Sequence, residues 1–220
     1  LDAGGTLFTP YPSVGEIYHQ VARRYGLAAD PKVLEETFHA KWEERDGLAS
    51  LAAHSGEKEE KGWWRTLVRD VFSPFGEIGD FEGFFEELYH TFAGAEVWRL
   101  FPDTLPVLKR LKEEKKIVGV VSNWDHRLFG ICEGLGLGPY LDFILASAVV
   151  GAAKPSPRIF QEALRRAEIP PEAALHVGDS LEDDVRGARS VGIRVIFLDR
   201  KGRRLASEVP TIRSLEALWG

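Results

Sequence analysis

Residues 174–198 read ALHVGDSLEDDVRGARSVGIRVIFL, and the order of patterns in this stretch decides the fold. Ala174 to Val177 is an apolar run of strand length, broken by Gly178-Asp179-Ser180. Asp183 to Val191 carries apolar residues at helical spacing, and Val195 to Leu198 is a second short apolar run. A strand, a helix and a strand in so short a span imply parallel neighbours joined by a crossover helix. In sheets of that kind, ligands bind at the carboxyl ends of the strands. Asp179 stands at such an end, with Asp183 and Asp184 just beyond it.

The same alternation runs back to Phe101. Leu105 to Glu114 reads as an amphipathic helix and Ile117 to Val121 as a buried strand. A helix near Arg127 to Leu135, a strand Phe143 to Ala146 and a helix Pro157 to Ala167 follow. The chain contains no methionine, so the initiator lies outside it, and Leu1 reads as the tail of a first strand ending at Asp2. These elements predict a parallel sheet with helices on both faces. Gly134, Gly136 and Gly138 follow a helix, not a strand, and lack dinucleotide-loop spacing, so they read as a helix end and loop.

From Val14 to Phe92 the period is helical throughout. Val14, Ile17, Tyr18, Val21, Ala22 and Tyr25 share one face, and Gly26 is placed to end that helix. Asp30-Pro31 is an N-cap followed by a first-turn proline, opening a helix with Leu34, Phe38 and Trp42 on one side. Trp63, Trp64, Leu67, Val68, Val71 and Phe72 mark a third helix. Asp80 caps a fourth carrying Phe81, Phe84, Phe85, Leu88, Tyr89 and Phe92. Four amphipathic helices in a row predict a small bundle. His54 to Lys61 is polar and reads as a loop, and Trp42, Trp63 and Trp64 are candidates to face a substrate.

Composition narrows the function. The chain has 220 residues, 44% of them hydrophobic and 28% charged, with a net charge of −6. Nucleic-acid binders carry a basic surplus, so none is expected here. The one basic run, Arg200, Lys201, Arg203 and Arg204, reads as a solvated loop. No apolar stretch approaches the ~20 residues that cross a bilayer, so no membrane role is expected. The single Cys132 permits no internal disulfide and fits a reducing cytoplasm. One asparagine, two glutamines and no methionine, beside many Arg and Glu, fit a thermophilic source.

Four polar clusters converge at the predicted strand ends: Asp2 to Thr6, Ser122-Asn123, Lys154-Pro155, and Gly178-Asp179 with Asp183-Asp184. The set suits phosphoryl chemistry. A carboxylate can attack phosphorus, and a second can hold Mg²⁺, a hard cation that favours oxygen ligands. Hydroxyls and an ammonium can hold the transferring oxygens, whose charge must be neutralised. His176 reads as packed beside the sheet, and the other histidines show no metal-ligand spacing.

DAGGTL, VVSN, AAKPSPRIF and HVGDSLEDDVRGARSVG, in that order, resemble the four motifs of the haloacid dehalogenase superfamily of hydrolases. The resemblance implies an α/β fold, a Rossmann-like core formed by 1–11 and 98–220, and an inserted helical cap, 12–97. The segment between Ser122 and Lys154 is short, so the family's alternative cap position reads as empty. Carried over, Asp2 matches the nucleophile, and Thr6 and Ser122 the ligands of the phosphate oxygens. Lys154 matches the charge-balancing lysine, with Gly5 and Asn123 beside the substrate. Mg²⁺ is implied at Asp2, Asp179 and the Gly4 carbonyl, supported by Asp184, with Asp183 competing for that role.

One position departs from the pattern. The family's phosphatases usually have a second aspartate where Gly4 stands, which protonates the leaving group and later activates water. Its loss typically removes a factor of ~10²–10⁴. His126, Asp125 and a cap carboxylate are candidates to replace it. The leading expectation is therefore a Mg²⁺-dependent phosphatase of a small phosphorylated metabolite, working through an aspartyl-phosphate. A 2-haloacid dehalogenase, whose first motif also lacks this acid, a phosphonate hydrolase and a non-catalytic binding module are the alternatives.

Overall fold

Leu1 and Asp2 join the two halves of a parallel sheet. Leu1 donates to Gly119 O and accepts from the Val121 N–H, and Asp2 donates to Val177 O, each at 2.9 Å. The structure, a computed structural model, describes residues 1–45, 47, 56–202 and 209–219. After the first residues come β1 (Phe8–Pro10) and four helices, α1 (Val14–Arg24), α2 (Pro31–Glu43), α3 (Glu57–Phe72) and α4 (Phe81–Ala93). Then follow β2 (Trp98–Leu100), α5 (Thr104–Glu113), β3 (Gly119–Ser122), α6 (Arg127–Gly134), β4 (Phe143–Ala146), α7 (Ser147–Val150) and α8 (Pro157–Ala167). The chain closes with β5 (Leu175–Gly178), α9 (Gly187–Ser190), β6 (Arg194–Leu198) and β7 (Thr211–Ile212).

Strand pairing gives the order β4, β3, Leu1–Asp2, β5, β6, β7, all parallel. Consecutive strand residues point to opposite faces, and both faces are covered. Val120, Ala146, Val177 and Leu198 pack with Val107 and Leu108 of α5 and Leu128 and Ile131 of α6. Val121, Leu145, Val195 and Phe197 pack on the other side with Ile159 and Phe160 of α8 and Ala188 of α9. This is the α/β architecture the alternation predicts.

α1 to α4 surround a third cluster, whose buried members run from Val14 to Leu88 and come from no other part of the chain. Ser13, Asp30 and Asp80 cap α1, α2 and α4 by accepting from N–H groups of the first turn. The chain leaves the sheet through β1 and returns through β2. These strands pair antiparallel, Phe8 opposite Leu100 and Pro10 opposite Trp98, so exit and return form one two-stranded stalk.

Several expectations are corrected. Residues 54 and 55 of the expected loop lie outside the described residues, but 57–61 are helical, the start of α3. Glu57, Glu59 and Glu60 occupy its first turn, where the helix dipole favours acids. The strand expected from Ile117 begins at Gly119; Ile117 is 54% exposed and the Val118 N–H is taken by Asp142. The helix expected from Asp183 begins at Leu181 as a π-helical turn, in which Asp184 and Val185 both donate to Ser180 O at 3.1 Å. Such wide turns occur frequently at functional sites.

Candidate active site

The carboxyl ends of the first strand, β3 and β5 bring Asp2, Ser122 and Asp179 together. Asp2 is buried, and its Oδ1 accepts from Ser122 Oγ at 2.9 Å and Lys154 Nζ at 2.6 Å. Among the described residues no hydrogen bond reaches Oδ2. Lys154 also donates to Asp184 Oδ1 at 2.6 Å. Burial alone would make Lys154 easier to deprotonate; Asp184 and Asp2 outweigh it and hold the ammonium firmly charged. Asp184 is buried and receives two further bonds, from His176 Nε2 at 2.8 Å and the Ser180 N–H at 3.0 Å. Burial opposes its charge, but Lys154 and His176 hold its carboxyl well below the usual range.

Asp2, Asp179 and Asp184 each offer an oxygen within 4.8 Å of the others. Burial, then the charges of Asp2 and Asp184, push the Asp179 carboxyl up to about 7. Among the described residues only Thr6 Oγ1, at 3.4 Å, reaches its Oδ1 from another side chain. Burial lowers the His176 pKa, so once Asp179 is ionised three carboxylates face one ammonium. Two negative charges are left over, the charge of one divalent cation, and an all-oxygen donor set suits Mg²⁺. Gly5 makes room for this group. Its φ is +78°, and a Cβ there would lie 2.3 Å from Asp179 Oδ2. Asp183 is half-buried and stands outside the three-carboxylate group.

Two expected residues take unexpected parts. Asn123, expected beside the substrate, clasps Lys154 with both ends of its amide. Its Oδ1 accepts from the Lys154 N–H at 2.7 Å and its Nδ2 donates to the Lys154 carbonyl at 2.9 Å. At position 4, the space an acid would need is filled. A Cβ on Gly4 would lie 2.9 Å from the Trp124 ring, which packs edge-on against Phe8 and Trp98.

The loop after β3 continues to the helices of the cap. Asp125 is fully buried. It accepts from the Arg127 backbone and guanidinium, and from the Trp64 indole N–H of α3 at 2.6 Å. Burial would raise its carboxyl, but Arg127 outweighs it and holds it low. Arg127 also lies over the rings of Trp64 and Tyr89. One turn earlier on α3, Glu60 is 0% exposed, and both its oxygens are 2.8 Å from His126 Nδ1. Trp42 and Trp63 pack against Trp64 and one another.

Arg200 corrects the reading of the basic run as a solvated loop. Its side chain is 14% exposed, pairs with both oxygens of Asp103 and donates to the Thr6 carbonyl at 2.7 Å. Lys201 is exposed, and Arg203 and Arg204 lie outside the described residues. Sequence reasoning gave no part to Glu60, Trp124 or Asp103 and read His176 only as packing. The one available signal for His176 was its place two residues before Gly178 on the strand that presents Asp179.

Residues 1–192 match the family model of haloacid dehalogenase-like hydrolases. The chain belongs to the haloacid dehalogenase-like hydrolases. It is 35% identical to a zebrafish (Danio rerio) relative, haloacid dehalogenase-like hydrolase domain-containing protein 3, over 99% of this chain and 91% of that one. Among solved structures it resembles a haloacid dehalogenase-family phosphatase from Thermococcus onnurineus, with a TM-score of 0.70 and 26% identity, covering 99% of this chain and 93% of that one. It also resembles a 2-haloacid dehalogenase from Pseudomonas syringae, with a TM-score of 0.65 and 25% identity, covering 100% and 97%. The core of a haloacid dehalogenase-like hydrolase thus carries the acidic group just described. No helix among the described residues is long and apolar enough to cross a membrane.

Proposed function

We propose that this chain is a Mg²⁺-dependent phosphatase of a small phosphorylated metabolite and acts through an aspartyl-phosphate on Asp2. The observation that carries the reading is the uncompensated charge of Asp2, Asp179 and Asp184 around one lysine. Displacing halide from a neutral carbon needs no such surplus; transferring a phosphoryl group beside a divalent cation does. Asp2, Asp179 and the Gly4 carbonyl would hold the ion, with Asp184 supporting them. When bound, Mg²⁺ supplies positive charge to the transferring oxygens. Asp2 Oδ2 attacks phosphorus while Lys154 and Ser122 hold Oδ1 in place. The Thr6 hydroxyl and the Gly5 turn orient the phosphoryl oxygens. Residues 12–97 act as a lid that excludes water from the cleft.

One observation favours dehalogenation as a second reading. Trp124 closes the place of the usual phosphatase acid, and a dehalogenase does without that group. The test is phosphate release from a panel of small phosphate esters with and without Mg²⁺, beside halide release from 2-haloacids. The phosphatase reading expects phosphate only when Mg²⁺ is present and no halide. Metal-independent halide release would replace it with the second reading.

A further inference from the structure

If Gly4 leaves no aspartate to move the proton, another group must do so. The loop after β3 narrows the choice. It starts at Ser122 on the nucleophile, passes position 4 with the Trp124 ring against Gly4, and reaches α3 at Asp125 and His126. Three carboxyl or imidazole groups stand where the loop meets the cap. Asp125 is fully buried and engaged by Arg127 and Trp64, so no substrate oxygen reaches it. Glu60 is fully buried too, with its carboxylate on His126. The His126 side chain is 37% exposed, and its Nδ1 is the nitrogen that Glu60 holds. Fixing Nδ1 as a donor to the carboxylate leaves Nε2 as the nitrogen that exchanges a proton.

We propose that His126, oriented by Glu60, is the acid–base of this enzyme in place of the absent aspartate. The inference rests on the phosphatase reading above. In the first step an Asp2 oxygen bonds to phosphorus and the bond from phosphorus to the leaving oxygen breaks. The Nε2 proton of the imidazolium passes to that oxygen. In the second step Nε2 takes a proton from a water whose oxygen bonds to phosphorus. The bond from phosphorus to Asp2 breaks, inorganic phosphate leaves and the imidazolium is restored. In these steps His126 Nε2 is the atom assigned to meet the reacting oxygens, and Glu60 acts through it as a positioning residue, in the way a buried carboxylate orients a catalytic imidazole. The pair spans the boundary between cap and core, so the acid–base is assembled only while α3 lies on the loop.

The test is leaving-group dependence. With Mg²⁺ present, transfer to Asp2 is followed by rapid quench with acetyl phosphate, 4-nitrophenyl phosphate and phenyl phosphate. The variants are His126→Asn, whose amide still donates to Glu60, Glu60→Gln, and Asp183→Asn, which removes the half-buried carboxyl next to Asp184 as an alternative acid. Thermal melting establishes that each is folded. Acetyl phosphate departs without full protonation, so His126→Asn leaves its transfer within about threefold of the unsubstituted rate. Phenyl phosphate slows by ~10²–10⁴, and the aspartyl-phosphate persists because its hydrolysis has lost the base. Glu60→Gln gives the same pattern at smaller amplitude. A purely structural role would slow all three substrates alike, and that result overturns the inference. So does the leaving-group pattern appearing in Asp183→Asn and not in His126→Asn. If the unsubstituted protein forms no aspartyl-phosphate from any of the three, the phosphatase reading itself fails and this inference falls with it.

Discussion

Two adjacent glycines do different work. Gly5 holds a left-handed turn against Asp179, where any side chain would collide with the carboxylate. Gly4 is closed off from the side by Trp124. Restoring an aspartate at position 4 therefore does not by itself restore an acid, because the indole occupies the space. Gly4→Ala should destabilise the protein by about 1–3 kcal/mol through overpacking. With Trp124→Leu in the background most of that penalty should vanish, since the two positions share one space. Urea unfolding of the four proteins in this double-mutant cycle measures it; additive effects would mean that Trp124 does not fill the place of the acid.

Helix α3 ties cap to core. Glu60 and Trp64, one turn apart, share a face and hold His126 and Asp125. Asp125→Ala should destabilise by about 3–5 kcal/mol, because it strands Arg127 beside two aromatic rings without its carboxylate. Trp64→Phe should cost only about 1 kcal/mol, the net worth of one hydrogen bond, when both are compared by thermal melting. These contacts were hidden in the sequence for a physical reason. EKEEK, residues 57–61, reads as solvated because charge is usually exposed, yet one of its acids is turned inward by a partner 66 residues away. Trp124 carries no pattern of its own in the sequence, and only the path of the chain shows what it packs against. Elements buried on both faces, such as Phe143 to Ala146, and helices with a proline at the first turn, such as Pro157 to Ala167, are legible to the residue. Asp2, Ser122, Lys154 and Asp179 were legible as a group because strand ends in a parallel sheet must converge.

At the scale of the molecule, Asp103 joins three distant parts of the chain. It lies just after the return from the cap, pairs with Arg200, accepts from Ser214 and the Leu215 N–H, and through Arg200 steadies the Thr6 carbonyl. Burial alone would raise its carboxyl; the bonds from Arg200, Ser214 and Leu215 outweigh it and hold it below the ordinary value. A carboxyl lowered in the fold stabilises it above the unfolded pKa of about 4 and loses that contribution as pH falls through the folded value. Asp103→Asn should therefore lower the melting temperature at neutral pH and flatten its decline below pH ~4. A decline as steep as the unsubstituted protein's would assign that acid sensitivity elsewhere. The chemistry we propose at the centre of this framework is phosphoryl transfer to Asp2. Peptide mass spectrometry after acid quench from acetyl phosphate tests it most directly. One phosphoryl group on the peptide carrying Asp2, present with Mg²⁺ and absent with a chelator or in Asp2→Asn, is the predicted result. An unmodified Asp2 in the presence of Mg²⁺, or a phosphoryl group on any other residue, would contradict it.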